Sequence, residues 1–67
     1  MADTLSTNVR KFRINRKLTI TELAARSGIP REELSRLENE HATNPTRDRI
    51  EALAAALEVS AGDLLDA

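Results

Sequence analysis

Apolar side chains recur every three or four residues through most of the chain. Leu5, Val9 and Phe12 fall at spacings of four and three, which places them on one face of a helix expected over about residues 5–16. Lys17 and Leu18 close that segment. Thr19-Ile20-Thr21-Glu22 has the form of a capping box and opens a second helix, expected over 20–27, with Leu23, Ala24 and Ser27 facing inward. Gly28 follows, where a backbone of positive φ would end a helix. Ile29 then reads as an apolar plug, and Pro30 suits the first turn of a third helix, where its missing N–H costs nothing. That helix, expected over 31–39, buries Leu34 and Leu37. A loop from Glu40 to Thr46 contains His41, carries the turn signal Asn44-Pro45, and ends on Thr46, a good cap. A fourth helix over 47–58 sets Ile50, Leu53, Ala54 and Leu57 on one face. Val59 leads into a short fifth helix over 61–65, opened by a second capping box, Ser60 to Asp63, and closed by Leu64-Leu65. No useful stretch alternates with period two, so no strand is expected. No linker, repeat or low-complexity tract divides the chain, which predicts a single all-α domain over residues 1–67.

Composition narrows the function classes. Sixty-seven residues bury only roughly 60% of their unfolded surface, so stability is modest. There is no cysteine, hence no disulfide or thiolate metal site, and the single histidine cannot build a metal site alone. No metal and no cofactor is expected. No apolar run approaches the ~20 residues that span a bilayer, and the N-terminus lacks the basic-then-apolar form of a secretory signal. A cytoplasmic location is expected. Phe12 is the one aromatic residue, which argues against single-strand binding by base stacking. No nucleophile–base pair and no oxyanion site is visible, so no enzyme is expected. The net charge of −1 hides a polarity: residues 1–36 carry eight basic and four acidic side chains, residues 37–67 two and seven. A basic front half and an acidic back half make a polarised molecule.

The two short helices around Gly28 have the layout of a helix-turn-helix, whose second helix enters the DNA major groove. The order of segments around them is specific. It runs from an apolar-periodic helix to a capped helix and a glycine turn. Leu34-Ser35-Arg36-Leu37-Glu38-Asn39 follows, and then Ile50-Glu51-Ala52-Leu53-Ala54-Ala55-Ala56-Leu57-Glu58-Val59-Ser60 with Leu64-Leu65. This resembles the Cro/cI-type helix-turn-helix family (XRE-type, lambda-repressor-like) over about Leu5 to Leu65. Thr43-Asn44-Pro45 and the Leu64-Leu65-Asp66 ending look most like SinR-type DNA-binding domains.

The resemblance implies a compact five-helix DNA-binding domain that binds near-palindromic operators on double-stranded DNA as a homodimer, as a transcriptional regulator and most simply a repressor. It places Arg31, Glu32 and Arg36 at base-facing positions of the third helix. Arginine can clamp guanine O6 and N7, and glutamate can accept from cytosine N4. It places Arg10, Asn39 and the amides of Ile20 and Thr21 on phosphates, and joins Arg13 to Glu38 in a structural ion pair. Leu64 and Leu65 belong either to a dimer surface or to the closing of the core. The chain departs from the family where Ile20 replaces a common glutamine, where Glu40 replaces a common glycine, and in a loop poor in lysine and arginine. Glu33 reads first as a carboxylate favouring the helix dipole. The alternative class is a protein-interaction module on the same scaffold, an antitoxin or antirepressor, with a regulatory protein partner.

Overall fold

The computed structural model describes residues 2–40 and 45–66, and the side chains of all these except Ala2, Asp3 and Glu40. The described residues form α1 (Ala2–Asn15), α2 (Ile20–Ser27), α3 (Arg31–Glu40), α4 (Arg47–Leu57) and α5 (Ala61–Leu65), with no strand among them. The expectations on His41, Thr43, Asn44 and the Glu40 side chain lie outside what is described.

Each boundary has a local cause. α1 begins three residues earlier than expected, because the first buried residue of a helix marks where packing starts, not where its hydrogen bonds start. At its end Leu18 donates its N–H back to the Arg13 carbonyl at 3.1 Å, and Lys17 takes a left-handed conformation at φ 58°. This is the Schellman closure usually built on glycine. α4 ends the same way and one residue earlier than expected. Glu58 is left-handed at φ 58°, and the Val59 N–H reaches the Ala54 carbonyl at 3.0 Å. Gly28, at φ 76°, is the third left-handed residue and returns its N–H to Ala24 at 2.9 Å. Both capping boxes are formed. The Thr19 hydroxyl accepts from Glu22 N–H at 3.0 Å, and the Glu22 carboxylate accepts from Thr19 N–H at 2.9 Å. Ser60 and Asp63 repeat the exchange at 3.0 and 3.1 Å. Thr46 caps α4 through the Arg49 N–H.

The core draws on every helix: Leu5 and Val9 of α1, Leu23 of α2, Leu34 and Leu37 of α3, Leu53 and Leu57 of α4, and Leu64 of α5. Leu18 and Ile29, from the two connections that flank α2, are buried with them. Phe12 and Ile50 pack against this cluster half-buried rather than inside it. Leu23, Leu53, Leu57 and Leu64 are fully enclosed, each stabilising by about 1.5–3 kcal/mol relative to exposure. α1 touches α3 along one flank and α5 along the other, while α2 packs on both α3 and α4. The result leaves the outer face of α3 and the start of α2 on one surface.

Candidate nucleic-acid interface

The site is built on α3. Leu34 and Leu37 are 1% and 4% exposed and fix the helix to the core. Arg31, Glu32 and Arg36 are exposed on the face turned away from those two leucines. With Ser35 and with Ile20 of α2 they outline one shallow cleft. Three of the residues expected to face bases are thus brought together, and Ile20 lies beside them with its side chain half-buried against the core.

The start of α2 supplies a different kind of group. Its first intrahelical bond is Leu23 N–H to the Thr19 carbonyl at 2.9 Å. The Ile20 and Thr21 amides precede that bond and carry the partial positive charge of a helix N-terminus. The capping box uses the Thr19 and Glu22 amides, so it organises the turn without consuming those two. The Thr19 N–H donated to Glu22 holds that carboxyl below the usual carboxylate range.

Asn39 is exposed near the other end of α3, and its amide donates to the Ser35 hydroxyl at 3.2 Å. This bond runs along α3 from Asn39 back to the cleft. Ser35 carries no signal in the sequence beyond its place one turn after Arg31, and it was not anticipated. Arg10 is exposed on α1 and shares a groove with Glu38 at the α1–α3 junction, so it stands at the flank of α3.

Two ion pairs hold α3 in place. Arg13 Nε donates to Glu38 Oε2 at 2.8 Å and Nη2 to Oε1 at 2.9 Å, while Nη1 donates to the Leu18 carbonyl at 2.8 Å. Their side chains are 14% and 2% exposed. The hydrogen bond to Glu38 raises the Arg13 guanidinium above its ordinary value, burial opposing it. On the other side Arg49 of α4 reaches Glu33 through Nε at 3.0 Å and Nη2 at 3.2 Å. Glu33 is therefore a cross-helix partner as well as a first-turn carboxylate, and its charge is turned toward α4. No local pattern announces this, because the two residues are 16 positions apart. Arg16, a further basic side chain of the front half, is spent on Glu58 at 3.2 Å.

Leu64 and Leu65 divide. Leu64 is fully buried and closes the core, so it offers nothing to a partner surface, whereas Leu65 is 54% exposed. The dimer-surface expectation is corrected for Leu64: a five-residue helix must spend its one inward position on the core.

Comparison with known proteins agrees with this geometry. The helix-turn-helix family profile matches residues 9–64. The HTH-type transcriptional regulator SinR of Bacillus subtilis (strain 168) is 33% identical over 58 residues, covering 87% of this chain and 52% of that protein. The chain thus spans about half the length of the curated relative it matches. The chain belongs to the helix-turn-helix family, of the XRE type.

Proposed function

We propose that this helix-turn-helix chain is a sequence-specific regulator of transcription that binds double-stranded DNA, acting as a repressor on a near-palindromic operator. The observation that carries the reading is the split of α3: two leucines pin it to the core while Arg31, Glu32 and Arg36 stand together on its outer face. Arg31 and Arg36 read base edges, and Glu32 accepts from a cytosine or orients a neighbouring arginine. Arg10, Asn39 and the Ile20 and Thr21 amides hold phosphates. Two copies set their α3 helices in successive major grooves, roughly 34 Å apart. Few phosphate contacts per copy make single-copy binding weak, so the second copy supplies the remaining affinity. Occupying promoter DNA then blocks transcription from a cytoplasmic pool of the protein. Family and relative both point to a regulator rather than an enzyme, and no described helix is long and apolar enough to cross a membrane.

Selection from a random duplex pool, followed by sequencing, tests the reading. An enriched site should emerge, and Arg31→Ala should relax preference at particular base pairs at a cost of about 1–3 kcal/mol. Absence of any duplex enrichment at low salt, with the domain folded, would hand the case to the interaction-module reading. The net charge of −1 and the acidic second half are what favour that alternative, with a regulatory protein as partner.

A further inference from the structure

We propose that the cleft between α3 and α4 binds a free apolar α-amino acid. The ligand's side chain enters an apolar pocket, while its ammonium and carboxylate groups meet Glu33 and Arg49 at the mouth. The proposal goes beyond the DNA-binding reading and does not depend on it.

The pocket holds about 300 Å³ and opens between the inward side of α3 and the start of α4. Small-molecule sites run from roughly 300 to 1,000 Å³, so this one suits a ligand of amino-acid size rather than a nucleotide. Ile29, Leu34, Leu37 and Leu53 form its floor, and all four are buried. None of them offers a polar side-chain atom, so the floor accepts a hydrocarbon body and penalises a charged one.

The mouth has the opposite character. Glu33 and Arg49 line it with side chains 41% and 40% exposed. Arg49 donates to Glu33 through Nε at 3.0 Å and through Nη2 at 3.2 Å. A guanidinium has five N–H donors and a carboxylate about four acceptor positions, so this pairing leaves about three donors and about two acceptor positions unused. Neither side chain has a further partner among the described residues. The pair thus holds a cation and an anion side by side above an apolar cavity, each with hydrogen-bonding capacity to spare.

An α-amino acid answers all three surfaces at once. Its two charged groups sit on one carbon, and its side chain is a third substituent of that carbon. A simple carboxylic acid would meet Arg49 but bring its charge beside Glu33, and a simple amine would meet Glu33 but face Arg49. Like charges so placed weaken association. Leu34 and Leu37 point away from Arg31, Glu32 and Arg36, so the pocket and the base-facing surface lie on opposite sides of α3. A bound amino acid would therefore leave the outer face open.

Titration calorimetry on the whole chain, without DNA, tests the site. Leucine and phenylalanine should bind with a Kd of about 1 mM, the scale expected for a ligand of about ten non-hydrogen atoms at a half-exposed mouth. Glycine, aspartate and lysine should bind at least about tenfold more weakly. On the same unaltered chain, 4-methylpentanoate, which lacks the ammonium, and leucinamide, which lacks the carboxylate, should each lose about tenfold against leucine. Glu33→Gln and Arg49→Gln, checked for folding by circular dichroism, should lose as much. Arg16→Gln breaks a surface ion pair elsewhere and should keep the leucine affinity. Amide resonances that shift on adding leucine should centre on Leu34, Arg49 and Leu53. No binding of either apolar amino acid at about 20 mM would overturn the proposal. So would an analogue lacking one charge that matches leucine, an equal loss in Arg16→Gln, or shifts centred away from the pocket. Because DNA is absent throughout, these failures leave the regulator reading intact, and a chain that binds no duplex can still bind leucine.

Discussion

Replacing Glu38 by alanine removes the carboxylate that holds Arg13, and the structure sets the size of the loss. Two charge-assisted hydrogen bonds, at 2.8 and 2.9 Å, disappear. Hydrogen bonds to charged groups contribute about 1.5–3 kcal/mol each, and breaking a buried ion pair costs about 3–5 kcal/mol because the survivor is left uncompensated. Arg13 keeps its bond to the Leu18 carbonyl and is 14% exposed, so water reaches part of the guanidinium. That places Glu38→Ala at the low end, about 3 kcal/mol. A domain of this length holds roughly 3–10 kcal/mol in total, and about 3 kcal/mol corresponds to a fall in melting temperature of roughly 12–24 °C. Urea unfolding followed by far-ultraviolet circular dichroism, on wild type, Arg13→Ala, Glu38→Ala and the double variant, gives both the loss and the coupling. Arg13→Met with Glu38→Leu should recover most of the stability, since a well-packed apolar pair needs no desolvated charge. A loss under about 1 kcal/mol for Glu38→Ala, with coupling to match, would show that the pair is solvated and that the burial argument is wrong.

Three further outcomes follow from other features. Lys17→Gly should raise stability by about 0.5–1 kcal/mol, read as a higher melting temperature, because the left-handed conformation at φ 58° strains any residue with a Cβ. The Glu22 carboxyl is held below its ordinary value of 4.5 in the folded state, so it contributes stability above that pH and loses it as pH falls through the folded value. Glu22→Gln should therefore flatten part of the decline in melting temperature between neutral and acid pH, and an unchanged decline would remove the cap from the account. Arg10→Ala should weaken duplex binding about equally across sequences and reduce the salt slope by about 1 in a titration of log K against log salt, whereas a change in base preference would place Arg10 in the groove.

What the sequence displayed was everything carried by short spacing. Leu5, Val9 and Phe12, the two capping boxes, Gly28 and the Leu34–Leu37 pair all depend on residues within one or two turns of each other, so pattern alone reached them. The outward placement of Arg31, Glu32 and Arg36 followed from where Leu34 and Leu37 point. Contacts between distant residues were not legible. Glu33 with Arg49, Arg16 with Glu58 and Asn8 with α5 are separated by 16, 42 and 56 positions. Nothing local distinguishes these side chains from other polar residues on a helix surface. The Arg13–Glu38 pair, 25 apart, was reached only through resemblance to a family. Leu64 and Leu65 were indistinguishable as neighbours because which of two adjacent leucines turns inward depends on how a very short helix meets α1 and α4.

The seating of α5 has a dynamic corollary. A helix of five residues cannot persist alone in water. Leu64 and Ala61 pack it onto the core, and one carboxamide fastens its far end by donating to the Leu64 and Asp66 carbonyls. A latch this small can open by local unfolding while the Leu23–Leu34–Leu53 centre stays closed. Loosening Asn8 would then free the far end of α5, yet leave the rest of the domain folded with the outer face of α3 in place.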